Sequence, residues 1–324
     1  MVWAVRNHWT HPGVKRRLQA REKGCISMGS MTTLLPLRGS FVEPPAAELP
    51  ATFEQLAALP DECIDVAAGA ALIARDTYAT LDVGRLLSRI DEMSAPLAAR
   101  TLPLLAPEDQ ADAVSHYVFD QLGFRGNEHD YYDPKNSLLP DVLDRKLGIP
   151  ITLALIYCEV ARRAGVRARG VSFPGHFLVR IDPAGRDDSP VILDPFFGGR
   201  RLDHASLQKL LERASSTQKL SVQEHLVPAS ARTMLVRMLI NLKWVHATRG
   251  DFARALLALD RIISLTPDSV PALRERGLLA ARLGSMEAAR ADLSRLLELA
   301  PQGPDAGSIR KQLEELRAKA SVLN

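Results

Sequence analysis

Six residue pairs near the C-terminus stand 34 positions apart, and this period constrains the local architecture more than any other feature of the chain. They are Gly250 and Gly284, Ala255 and Ala289, Leu259 and Leu293, Ile262 and Leu296, Leu265 and Leu299, and Pro267 and Pro301. A unit of this length holds two helices. Glycine ends the first, a small alanine lets the pair approach closely, and proline ends the second. One such unit cannot bury its own apolar face, so the helices from about Met234 onward must stack. Two repeats fall short of the three or so that a free-standing array needs. The helix Ser308 to Ala318 is therefore expected to cap the stack, and the first helix to dock on a neighbouring domain. Lys243 occupies a place where this pattern prefers a small residue.

Upstream, Ile151 to Arg163 contains no Gly or Pro and is mostly apolar, which predicts a buried helix closed by Gly165 in the left-handed conformation. Three strand-like runs follow: Arg169 to Phe173, His176 to Ile181 and Pro190 to Asp194. The turn formers Asp182 to Asp188 fold the last two into an antiparallel hairpin. Residues 50 to 125 read as a helical subdomain, with runs from Asp61 to Ala74, Val83 to Met93 and Pro107 to Leu122. Gly123 to Asn136 reads as an ordered loop, and Leu139 to Lys146 as a short helix. The fold class is α+β: a helical N-terminal part, a helix packed on a small antiparallel sheet, and a C-terminal helical array.

With 324 residues the chain is long enough for more than one core. No apolar run approaches the roughly 18 residues of a membrane span, so no membrane is expected as partner. The net charge of +3 comes from the first 30 residues, whose six Lys/Arg and one Glu contribute +5 and leave the remainder near −2. That balance argues against a basic nucleic-acid binder, and no DNA-reading motif is present. Residues 1 to 40 read as a disordered leader or an over-called start, with Met28 or Met31 as initiator, because the apolar run of a secretory signal is missing. Cys25, Cys63 and Cys158 are odd in number and widely spaced, suggesting neither a disulfide framework nor a zinc site and fitting a reducing cytoplasm.

The segments Asn136-Ser137-Leu138-Leu139-Pro140, Gly148-Ile149-Pro150-Ile151-Thr152-Leu153, Phe173-Pro174-Gly175-His176-Phe177 and Ile192-Leu193-Asp194-Pro195 carry a further pattern. They resemble the transglutaminase-like superfamily with its papain-like core. More closely, they resemble a bacterial family that joins such a domain to C-terminal tetratricopeptide repeats, often labelled regulators of sirC expression. A related segment occurs in some eukaryotic F-box proteins. The resemblance implies a transglutaminase-like domain over residues 50 to 230 and tetratricopeptide repeats over 231 to 320. In active members a cysteine opens the core helix, a histidine begins one strand and an aspartate ends the next. His176 and Asp194 match the last two. Counting back from Gly165 by the family spacing lands on Pro150 or Ile151, so the thiol is missing.

Without a nucleophile, the resemblance implies a pseudoenzyme whose cleft, lined by Asn136, Pro150, Ile151, Pro174, Gly175 and Phe177, binds a protein or peptide while the repeats recruit a second partner. In that setting Asp194 is expected to hold the Nδ1–H of His176. The alternative is a cysteine-independent hydrolase or acyl transferase with His176 as general base and Asp194 as its orienter. Thr152 sits near the helix N-terminus as a weak candidate nucleophile, and a capping role suits it better. Cys158 lies about 10–12 Å further along the helix at 1.5 Å per residue, so it reads as core.

No cofactor is expected, because Gly198-Gly199-Arg200-Arg201 matches no nucleotide-binding pattern. No metal is assigned: the histidines lack metal-ligand spacing outside a weak His8/His11 pair, and His129, Asp130 and Asp133 read as a solvated loop. Arg145 and Glu159 read as surface ion-pair partners.

Overall fold

In a computed structural model, which describes residues 49–183, 189–214 and 221–322, the chain from Pro50 onward forms one unit. Its first helices are α1 (Phe53–Ala58), α2 (Val66–Arg75), α3 (Val83–Ala98) and α4 (Pro107–Ser115). Side-chain oxygens of Thr52, Asp65 and Asp82 accept the free N–H groups at the starts of α1, α2 and α3, each such cap worth about 1 kcal/mol. The helix expected from Asp61 begins instead at Val66. Asp61 to Cys63 make a 3-10 turn, and Asp65 supplies the cap through a 2.8 Å bond to the Ala68 N–H. Helix α3 runs past Met93 and through Pro96, which cannot donate to the Glu92 carbonyl, and the helix ends two residues later at Ala98. The run to Leu122 divides into α4 and a π-helical turn, His116–Gln121.

The centre is α6 (Pro150–Arg163), preceded by α5 (Leu139–Arg145). Most of α6 is buried from Pro150 to Ala161, as its unbroken apolar sequence requires. It ends at Gly165, with φ +75°, where the Val166 N–H returns to Ala161 O at 2.9 Å. Two residues on each side of α5, β1 (Arg125–Gly126) and β2 (Leu147–Gly148), pair in parallel and tie the loop to the start of α6.

The main sheet is a four-stranded antiparallel meander of β3 (Ala168–Val171), β4 (Leu178–Ile181), β5 (Val191–Asp194) and β6 (Arg200–Arg201). The three expected strands are present but shorter. His176 lies in the turn before β4, while Arg200 and Arg201, read only as a turn and basic pair, add the fourth strand. The hairpin tip 184–188 lies outside the described residues. Helix α7 (His204–Ala214), absent from the sequence reading, places Leu207 and Leu211 in a small cluster with Phe173, Leu178 and Ile192.

The C-terminal part contains α8 (Ala231–Thr248), α9 (Phe252–Leu265), α10 (Val270–Arg282), α11 (Met286–Leu299) and α12 (Ala306–Val322). Gly250 and Gly284, at φ +77° and +85°, end α8 and α10 as the 34-residue pattern requires. The apolar core does not break where the helical array begins: Met234, Leu235, Met238 and Leu239 of α8, with Leu259 and Ile262 of α9, belong to the same cluster as α2 and α6. Leu273, Leu293, Ile309 and Leu313 form a separate cluster among α10, α11 and α12. Arg261 of α9 adds a polar tie, its guanidinium 2.8 Å from the Asp76 carboxylate and 5.0 Å from the Phe53 ring centre.

Candidate functional site

Asp194, the last residue of β5, is 1% exposed, and its Oδ1 accepts the Phe196 N–H at 3.0 Å. The same oxygen lies 2.9 Å from Nε2 of His176. The ring N–H is not aimed along that line, so the contact is one of proximity and, once the imidazole is protonated, of charge. The expected Nδ1 contact is thus replaced by Nε2, and the register explains why. Continuing the pairing of Val179 with Leu193 puts Leu178 opposite Asp194, so His176 reaches Asp194 diagonally, two residues away, with its farther nitrogen.

Pro174 and Gly175 shape the turn before His176. Gly175 has φ +70° and is exposed, and a Cβ there would stand 3.2 Å from Cβ of Ala214 at the end of α7. The His176 side chain keeps 13% of its surface, and the backbone N–H of His176 donates to Phe173 O at 3.0 Å. Phe177 points the other way, into the core, at 2% exposure under Gly170. Among the expected cleft residues, Pro174, Gly175 and His176 therefore keep solvent contact.

The residues at the start of α6 are internal. Pro150 and Ile151 are buried, and Thr152 has no exposed surface. Thr152 Oγ1 lies 2.8 Å from Asn136 O and 3.1 Å from Ile149 O, and accepts the Ile149 N–H at 3.1 Å. Ile149 is the N-cap, so Thr152 acts from the third helical position, reaching back to the cap N–H. Asn136 is also fully buried: its Nδ2 donates to Asp130 O at 2.7 Å, and its Oδ1 accepts from Asn127 at 3.1 Å. These contacts hold the loop from Asn127 to Asn136 against the start of α6.

The sequence reading missed an aromatic path leaving this site. Phe197, 47% exposed, follows the Asp194 loop with the Arg200 guanidinium 5.6 Å from its ring centre. Ring centres then step from Phe197 to Phe196 at 5.2 Å, to Tyr131 at 5.9 Å and to Tyr132 at 5.2 Å, and from Tyr132 to Trp244 of α8 at 4.6 Å. Paired phenylalanines directly after Asp194-Pro195 were the available signal, since two aromatics in a Gly-bounded loop have no strand or helix to pack within.

Cys158 is half-buried, and burial pushes its thiol far above the ordinary range, with Glu159 adding to the effect. Glu159, expected at the surface, is 8% exposed and paired with Arg162 at 2.9 Å and with Arg163. Arg145 lies 2.8 Å from Asp133, whose other oxygen accepts the Lys135 N–H at 3.1 Å. His129 and Asp130 are exposed, and among the described residues no group of three His, Cys, Asp or Glu is placed to hold a metal ion. No described helix is long and apolar enough to cross a membrane.

A helix packed on an antiparallel meander, a histidine before one strand facing an aspartate at the end of the next, and a following helical array define a transglutaminase-like domain joined to tetratricopeptide repeats. The family model for the transglutaminase-like superfamily matches residues 85–240, and that for the tetratricopeptide repeat matches 242–314, so the two meet inside α8. The chain belongs to the UPF0162 protein family. It is 39% identical over 267 residues to a UPF0162 protein of Xylella fastidiosa, covering 82% of this chain and 94% of the relative. It is 31% identical over 235 residues to one from Pseudomonas aeruginosa, covering 72% and 84%. F-box only protein 21 of Mus musculus is 34% identical over 180 residues, covering 53% of this chain and 27% of that protein.

Proposed function

We propose that this protein is a non-catalytic peptide- or protein-binding regulator built on a transglutaminase-like domain that has lost its nucleophile. The observation that carries this reading is the chemistry at the start of α6. Pro150 and Ile151 have no nucleophilic atom, and the Thr152 hydroxyl is buried and engaged with Asn136 and Ile149. A buried alkoxide would lose its donation to the Asn136 and Ile149 carbonyls, with no base among its contacts to take the proton. The solvent-facing part of the site, with Pro174, Gly175, His176 and Phe197, is suited to an extended peptide. The aromatic path from Phe197 to Trp244 leads from it to the repeats, a class of module that generally mediates protein interactions. Binding to protein rather than nucleic acid, and action in the cytoplasm, belong to the same reading.

The second reading, a cysteine-independent hydrolase or acyl transferase, is favoured by the 2.9 Å approach of His176 to Asp194 and by the partial exposure of the imidazole. One experiment separates the two. The full chain and its His176→Ala variant are incubated with chromogenic acyl esters and anilides and with a glutamine peptide plus an amine. Turnover at background level in both proteins is expected. Turnover in the parent that disappears in the variant, at unchanged melting temperature, would establish the enzymatic reading instead.

A further inference from the structure

A groove of 360 Å³ lies between α6, β3 and the chain leading into α8, and none of the His176 turn lines it. Leu155, Val166 and Met234 supply apolar lining, and Arg162, Arg167 and Arg169 are exposed at its rim. β3 is the terminal strand of its sheet, so one backbone edge faces away from β4. The Asp182 N–H donates to Arg167 O at 3.0 Å, and the register then alternates: Arg169 and Val171 turn their backbone groups to β4, while Ala168 and Gly170 turn theirs outward. Two of the outward groups are satisfied locally. Gly170 O accepts the Ala229 N–H at 2.8 Å, and the Ala168 N–H donates to Val166 O at 3.0 Å.

That leaves Ala168 O and the Gly170 N–H without a protein partner among the described residues. They bracket Arg169 in the spacing that an added strand needs to donate one N–H and offer one carbonyl. A row of unmatched backbone groups on a terminal strand is a template for another extended chain. The side chains indicate which kind. The groove is lined by three arginines and a single carboxylate, Glu159, which is itself shared between Arg162 and Arg163. Asp182 holds Arg169 from the β4 side. Asp65 and Asp91 also act on Arg162, so among the described residues the rim cation left without a carboxylate partner is Arg167, above an apolar floor. The leader of this chain has the wrong sign to fill it, with six Lys/Arg against one Glu in the first 30 residues.

We propose that the outer edge of β3 binds an extended acidic peptide segment of a partner protein as a fifth strand, with aliphatic side chains on the groove floor and carboxylates against Arg162 and Arg167. This site is separate from the His176 turn and does not depend on the reading given for it.

The test uses the full chain and two synthetic probes, acetyl-Glu-Val-Asp-Val-Glu-amide and its counterpart with lysine at each acidic position. Calorimetry gives affinity, and amide hydrogen exchange followed by NMR gives location. The acidic probe is expected to bind, to slow exchange of the Gly170 amide, and to bind about tenfold more weakly to the Arg162→Glu/Arg167→Glu variant, since reversing rim charges removes attraction and adds repulsion. Both arginines are exposed, and a thermal melt checks that the variant folds. Equal affinity for the lysine probe, unchanged Gly170 exchange, or no binding of the acidic probe at millimolar concentration overturns the proposal. Slowing of Gly170 exchange with protein concentration alone assigns the edge to a second copy of this chain, and also overturns it. The exchange readout needs no variant, so it stands even if the double substitution fails to fold.

Discussion

Leu235 of α8 lies directly over Gly69 of α2: a Cβ built on Gly69 would stand 2.6 Å from Leu235 Cδ1. Gly69 is buried inside a helix, where glycine costs about 0.5–1 kcal/mol relative to alanine, and the close approach of α8 accounts for its presence. Gly69→Val should force the two helices apart and destabilise the chain by about 1–3 kcal/mol, as overpacked cores do. Urea unfolding followed by circular dichroism checks this, and an unchanged midpoint would mean that Leu235 rotates away freely.

Thr152 makes a second prediction. Thr152→Val keeps the volume but strands Asn136 O and the Ile149 N–H in the interior, so a loss of about 1–3 kcal/mol is expected. Thr152→Ser keeps the hydroxyl and should retain most of that stability. A hydroxyl that mattered only for chemistry would leave both melting temperatures at the parent value.

Asp194 serves the fold as well as His176. Asp194→Ala removes the acceptor for the Phe196 N–H and should cost about 1–3 kcal/mol, whereas Asp194→Asn keeps a side-chain oxygen and should cost less. Comparing the urea midpoints of the two variants decides the matter. Equal midpoints would show that the Phe196 contact contributes nothing.

His246 gives the molecule a pH dependence of known sign. Burial holds its imidazole below the ordinary histidine range; Asp251, with Oδ2 3.8 Å from Nδ1, pulls the other way, and Arg254 and Arg249 add to the depression. The unfolded chain therefore binds this proton first as pH falls through about 6.5, and stability declines there, returning as pH rises. Between about pH 7.5 and about pH 5.5 the parent should lose more stability than His246→Gln. Parallel losses in the two proteins would remove His246 as the cause.

The thiols should separate by environment. Cys63 is exposed, whereas Cys158 is half-buried with its thiol pushed up by burial, so thiolate is scarce there at neutral pH. Iodoacetamide labelling mapped by peptide mass should find Cys158 at least about tenfold slower than Cys63, because each unit of added pKa removes nine-tenths of the thiolate. Comparable rates would show that the helix opens at Cys158.

Periodicity made the repeats legible because Gly250, Gly284, Ala255 and Ala289 each have one steric reason to be where they are. The Gly148 to Asp194 core was legible for a similar reason: an unbroken apolar helix followed by short strands leaves few folds. Pairing was harder to read. Arg200 and Arg201 look like a turn because a two-residue edge strand has no room for a period, and β1 and β2 are equally short. The orientation of His176 depended on a diagonal register that no local pattern encodes. Asn136 and Thr152, read as cleft or cap from their polarity, turned out to bond each other inside, because a polar residue beside a buried helix is as well satisfied by a neighbouring carbonyl as by solvent. Cys63 and Cys158 could be described; Cys25 and the leader lie outside the described residues.

The continuous core through α8 and α9 changes what counts as a part of this molecule. The place where the two family models meet, within α8, marks a change of sequence style, and a cut there would split α8 and strip Leu259 and Ile262 of α9 from the cluster they share with Leu235, Met238 and Leu239 and with α2 and α6. α10 straddles the boundary, with Ala272 in the larger cluster and Leu273 in the smaller. An exchange at this end of the molecule would therefore have to carry, with α11 and α12, the face of α10 that holds Leu273 and Ala280, while the first repeat stays with the domain it completes.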